Sequence, residues 1–151
     1  MKASELRIGN YLFDSIEDIG VIQVTEIKNM TDNRIGNMSI SYYGVNGGYI
    51  TASLEENSTD NEAEDYMIQP IPLTEEWLLK LGFNEYIDFG CKTGVFDYIN
   101  LDFSYSMKTK KITIMHNGNN MSHVLKKEVI YVHQLQNLYY ALNGEELTIK
   151  K

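Results

Sequence analysis

Pro70–Phe83 reads PIPLTEEWLLKLGF, and this stretch divides the chain. Pro70 and Pro72 punctuate it, because a proline removes a backbone donor and fixes its own φ. Thr74 follows as an N-cap whose hydroxyl can accept from an orphan amide, and Glu75 and Glu76 suit the positive end of a helix. Trp77, Leu78 and Leu81 form one apolar face, and Gly82 supplies a left-handed stop. The stretch predicts a short helix, Glu75–Leu81, joining an N-terminal part, 1–72, to a C-terminal part, 73–151.

Before that helix the chain reads as β. Tyr11–Asp14, Val21–Ile27 and Met38–Tyr43 are short runs of alternating or β-branched and aromatic residues. Asn46-Gly47, between Tyr42-Tyr43 and Tyr49-Ile50, signals a two-residue hairpin that would set Tyr43 opposite Ile50. Both faces of this hairpin carry apolar residues, which favours a curled, barrel-like sheet over a flat one. Tyr66–Ile71 can return as a last strand.

After the helix, Tyr86–Phe89, Val95–Phe103, Lys111–His116 and Val124–Val132 read as strands, with Gly90, Gly94 and Gly118 at turns. The last helix is the plainest element. Val132, Leu135, Leu138, Tyr139 and Leu142 recur at helical spacing, and Gly144 ends the run. Leu147–Ile149 would add an edge strand.

Composition bounds the function. The 151 residues carry 13 Lys+Arg against 21 Asp+Glu, a net charge of −8, with 43% hydrophobic residues and a single cysteine. One cysteine excludes an intrachain disulfide framework and a Cys-rich zinc site. No stretch approaches the roughly 18–20 apolar residues of a membrane span. Met1–Asn10 carries Glu5 and Arg7 without an apolar run, so a cytoplasmic protein without membrane association is the expectation. The charge is unevenly spread. Residues 1–72 hold 4 basic and 12 acidic groups, whereas residues 73–151 hold 9 of each. Glu55–Asp65 contains six acids and no base, and Phe103–Lys127 contains five lysines, two histidines and no acid.

Catalytic patterns are missing. Cys91 lies between Gly90 and Lys92 with no histidine placed to serve it. There is no Gly-x-Ser-x-Gly elbow and no glycine-rich phosphate loop. Asp97 and Asp102, five apart, project to opposite faces of a regular strand. The acidic segment lacks the glycine and terminal glutamate of a calcium loop. His116 and His123 flank a turn with two registers. Centred on Gly118-Asn119, it pairs His116 with Met121 and leaves His123 diagonally across on the same face. Centred on Asn117-Gly118, the stronger turn signal, it pairs His123 with Ile112 and separates the histidines. No third ligand is near, so neither a metal nor a cofactor is expected.

Two surfaces carry the functional expectation. Lys108, Lys110 and Lys111 lie on one arm of the basic hairpin and Lys126 and Lys127 on the other. In either register like charges would meet across strands, which an anion or acid would relieve. Phe103 and Tyr105 could add stacking for single-stranded nucleic acid. The plain alternative is that the lysines blunt a sheet edge. The second surface is the outward stripe of the last helix: His133, Gln136, Asn137 and Tyr140. Val132–Asn143 contains no charged residue, so this stripe is expected to be covered, by a neighbouring strand, a second protomer or a partner.

Three stretches, Met1–Asn10, Pro70–Phe83 and Tyr131–Lys151 (YVHQLQNLYYALNGEELTIKK), together resemble a family of small uncharacterised proteins from gut Bacteroidetes and their phages and mobile elements. The resemblance implies a phage or mobile-element setting and carries over no catalytic residue. RIGNYLFD (Arg7–Asp14) followed by GVIQVTEI (Gly20–Ile27) resembles the opening of an SH3-like small barrel.

The sequence thus predicts an α+β fold: a strand-rich, SH3-like or barrel-like N-terminal unit, a short connecting helix, and a C-terminal antiparallel sheet packed by the Val132–Asn143 helix. The two parts are either separate domains or one compact domain. The expected function is a non-enzymatic accessory protein that binds another macromolecule, a protein partner or a second copy of itself. A nucleic-acid-associated protein using the basic hairpin 103–127 is the alternative, and a hydrolase with an unrecognised site the third.

Overall fold

Residues 5–14, 20–30, 37–44, 49–54, 68–88, 91–98, 103–116 and 121–150 are described by the computed structural model. In chain order the elements are β1 (Tyr11–Asp14), β2 (Gly20–Met30), β3 (Asn37–Gly44), β4 (Tyr49–Leu54), β5 (Ile68–Gln69) and α1 (Glu75–Lys80). They continue with β6 (Asn84–Asp88), β7 (Cys91–Tyr98), β8 (Phe103–Ser106), β9 (Lys111–His116), β10 (Met121–Val124) and α2 (Val132–Asn143). Strands and helices segregate into an α+β fold with two antiparallel sheets. The chain forms two units: Met1–Ile71 with Val132–Glu146, and Pro72–Tyr131 with Leu147–Lys151.

The first unit is a five-stranded sheet in the order β4-β3-β2-β1-β5. It is an open sheet, with β4 and β5 at its edges, rather than a closed barrel. Strand alternation puts Leu12 inward beside Ile22 and Val24 of β2, and Leu6 and Ile68 complete this core. The eleven-residue β2 changes register against β3 between Val24 and Glu26, a bulge that bends the strand. β3 pairs with β4 so that Tyr43 meets Tyr49 and Tyr42 meets Ile50. This is one residue off the Tyr43–Ile50 pairing that a two-residue turn at Asn46-Gly47 would impose; 45–48 lie outside the described residues.

Helix α2 belongs to this unit. It packs against β1, not on the C-terminal sheet that the sequence predicts for it. The reason is in its side chains: Gln136 and Asn137 bond the backbone of Glu5, Gly9 and Tyr11 and the side chain of Asn10.

In the second unit α1 forms as the sequence dictates. Thr74 Oγ1 accepts from Trp77 N–H at 3.4 Å, Gly82 takes φ +90°, and Glu76 meets Lys80 at 2.7 Å. The hydrogen bond to Lys80, and then its charge, hold the Glu76 carboxyl below its usual pKa. The sheet order is β10-β9-β8-β7-β6. The expected strand Val95–Phe103 is two strands, since β7 ends at Tyr98, which pairs antiparallel with Phe103 at the start of β8. Gly94, expected at a turn, lies inside β7 at φ +67°, where the β6–β7 register shifts. A glycine supplies the backbone conformation such a bulge needs. Phe96, Tyr105 and Ile112 form a row across β7, β8 and β9, all fully buried. Leu73, Trp77, Leu78, Leu81, Phe83, Tyr98, Val129 and Leu147 complete the buried apolar set of the unit, and the Phe83 ring meets Tyr98 edge-on at 5.1 Å. The expected strand Val124–Val132 stops at Val124, and Leu147–Ile149 is not a strand.

Candidate functional site

The neutral stripe of α2 is filled from within its own unit. His133 and Gln136 are buried, Asn137 is half-buried and Tyr140 is 39% exposed. Gln136 Oε1 accepts from Tyr11 N–H at 2.8 Å, and its Nε2 donates to Gly9 O at 3.1 Å. Asn137 Nδ2 donates to Glu5 O at 2.6 Å, while Asn10 Nδ2 donates to Asn137 Oδ1 at 2.9 Å. The Arg7 guanidinium lies 3.5 Å from the centre of the Tyr140 ring and reaches Glu146 Oε1 at 2.9 Å. An uncharged amide carries both a donor and an acceptor, so it can replace a strand partner without burying a charge. The stripe therefore serves as a template for Glu5–Tyr11. It is a fold contact: of the three covers weighed, the one on the page is intramolecular, supplied by Glu5–Tyr11.

The lysines gather differently from the expected facing rows. Met107–Lys110 form the turn between β8 and β9, so Lys108 and Lys110 lie on no strand, and Lys111 pairs with Ser106. Thr109 N–H bonds Ser106 Oγ and Lys110 N–H bonds Ser106 O, at 3.4 and 2.8 Å, and Lys110 takes φ +57°. On the neighbouring connection, Leu125 N–H donates to Ile112 O and Val129 N–H donates to Lys110 O, both at 2.8 Å. The two acceptors are thus two positions apart while the two donors are four apart, and Lys126, Lys127 and Glu128 are extruded between these bonds. Lys126 and Lys127 do not sit opposite Lys111 and Lys110. All five lysines still collect at one end of the sheet. Lys108, Lys126 and Lys127 are exposed there, and Lys110 and Lys111 are half-buried.

Tyr105, expected to offer a stacking face, is buried, and its hydroxyl donates to Val129 O at 2.8 Å. Burial, helped by the Glu128 charge, pushes its pKa up to about 12. The folded value exceeds that of the unfolded chain, about 10. Its contribution to stability is therefore full below pH 10 and is lost as the pH rises through 12. Urea midpoints at pH 9 and 11.5 should show a drop in the wild type that Tyr105→Phe reduces. An equal drop in both proteins would show that Tyr105 does not titrate this way.

Of the remaining candidates, the two histidine positions come near each other. β10 pairs Met121 with His116 and His123 with Ile114, the register centred on Gly118-Asn119 that leaves the histidine positions diagonal on one face. Among the described residues, no group of three His, Cys, Asp or Glu could hold a metal ion. Burial raises the Asp97 carboxyl, and Asp102 lies outside the described residues. Cys91 opens β7 opposite Asp88. The acidic segment Glu55–Asp65 and Asn117–Asn120 lie outside the described residues. No described helix is long and apolar enough to cross a membrane. No family model, curated protein or solved structure matches the chain.

Proposed function

We propose that the protein is a non-enzymatic interaction protein that binds an acidic macromolecular partner, a protein, through the lysine-bearing end of its second unit. The observation that supports this is the gathering of Lys108, Lys110, Lys111, Lys126 and Lys127 on two adjoining connections and the first residue of β9, with Glu128 the acid among them. Opposite potentials steer encounter, and each exposed pair adds about 0–1 kcal/mol, screened over roughly 8–10 Å at physiological salt. A protein partner fits better than nucleic acid on two counts. The chain carries −8 overall, and Tyr105, the described aromatic of the basic hairpin, is buried. A phage or mobile-element setting is proposed on the resemblance of Met1–Asn10, Pro70–Phe83 and Tyr131–Lys151.

For the first unit we propose an SH3-like curled sheet. Its support is a four-strand meander whose fifth strand returns to β1, together with the bulge that bends β2.

Labelled polyglutamate tests the partner class. Binding should weaken about tenfold or more between low and high salt. Reversing the exposed Lys108, Lys126 and Lys127 to Glu should remove it while the melting temperature holds. Equal binding by the reversed variant would refute the lysine end as the contact.

A further inference from the structure

Resting on that reading, we infer that the lysine end works together with the outer edge of β10, and that the partner adds an extended acidic segment to the sheet as a further strand. Among the described residues, β10 is the terminal strand of its sheet. The hydrogen bond from Leu125 N–H to Ile112 O fixes which way each backbone group of β10 points. Antiparallel pairs alternate between bonded and non-bonded, so Leu125 and His123, opposite Ile112 and Ile114, turn toward β9. Ser122 and Val124, opposite Met115 and Thr113, turn their N–H and C=O groups away from it, off the sheet edge. Both residues are exposed, and the Val124 side chain is 57% exposed. Alternation puts Val124 on the same face as Thr113 and Lys111, and Lys126 and Lys127 follow it two and three residues on.

An extended segment laid along this edge would take its main-chain bonds from Ser122 and Val124 and set an apolar side chain against Val124. Its carboxylates would face the lysines at the end of the strand. The charge decides the occupant. A basic or neutral strand leaves five lysines unanswered, whereas an acidic one neutralises them and relieves their mutual repulsion.

The test uses the full-length protein and a short capped peptide alternating glutamate with valine. Two derivatives carry N-methyl groups, one on every glutamate amide and the other on every valine amide. Strand addition requires that one methylated peptide lose affinity about tenfold or more while the other keeps it. A peptide held by charge alone treats both alike, and that result overturns the inference without touching the lysine reading. Val124→Pro removes an outward N–H that β9 does not use, so the strand tolerates it and the peptide should bind about tenfold more weakly. The methylated peptides decide the matter even if that variant misfolds. Backbone amide resonances of Ser122 and Val124 should shift on titration. Unmoved resonances, failure of the unmethylated peptide to bind, or tighter binding of an oligothymidylate would each overturn strand addition. Polyglutamate binding that survives reversal of the three lysines is the separate result that sinks the proposed function.

Discussion

Gln136→Leu should lower the stability of the first unit by about 2–3 kcal/mol, with no change in oligomeric state. Leucine matches the glutamine in size but offers neither donor nor acceptor. The loss falls mainly on Tyr11 N–H, whose 2.8 Å bond to Gln136 Oε1 disappears and which is left facing an apolar side chain. A half-buried donor that loses its partner in this way costs up to roughly 1–3 kcal/mol. Gly9 O suffers less, because Gln23 Nε2 also donates to it at 3.2 Å. Tyr140→Ala is the contrast. It removes a partly exposed ring from Arg7, a contact of the kind that contributes about 0.5–1 kcal/mol. Urea unfolding followed by circular dichroism, with light scattering alongside, separates the cases. A Gln136→Leu midpoint equal to wild type would mean that Glu5–Tyr11 does not depend on the helix. A changed oligomeric state at unchanged stability would return the stripe to the role of an association surface.

The parts of the fold that were legible are those governed by neighbours in sequence. Thr74, Gly82 and the apolar spacing of Trp77, Leu78 and Leu81 specify α1 without help from the rest of the chain. Helical periodicity and Gly144 likewise bound α2. Its partner was not legible, because Asn10, Tyr11 and Gln136 are brought together across more than a hundred residues. Glutamine and asparagine on a helix also look solvated until their backbone acceptors and donors are known. The missing charge in Val132–Asn143 was the usable signal, and it pointed correctly to cover, though not to what supplies it. The lysines failed for a different reason. Cross-strand reasoning assumes a ladder without interruptions, and the extrusion of Lys126–Glu128 breaks it. The histidine register followed burial rather than turn strength. The observed register sets the half-buried Leu125 beside the fully buried Ile112, and the alternative would set His123 there.

Phe96→Ala should be the most damaging single truncation in the second unit, at about 3–5 kcal/mol. The ring stands in the middle of a row in which Phe96 faces Tyr105 across β7–β8 and Tyr105 faces Ile112 across β8–β9. All three are fully buried, so no solvent can fill the space the ring leaves. Tyr105 cannot swing across to close it, because its hydroxyl is tied to Val129 O at 2.8 Å. Moving it would give up that bond and strand a buried hydroxyl. The cavity therefore stays open, which is the condition under which truncation costs most. A total stability of roughly 5–15 kcal/mol makes this loss about a fifth of it or more. Ile87→Ala, on the edge strand β6 and 59% exposed, removes apolar atoms from water instead and should stay within about 0.5 kcal/mol. Hydrogen exchange gives a local reading, since β8 and β9 amides should lose protection in Phe96→Ala and keep it in Ile87→Ala. Similar losses from the two variants would mean that the Phe96–Tyr105–Ile112 row is not the core that holds the lysine end and β10 in place.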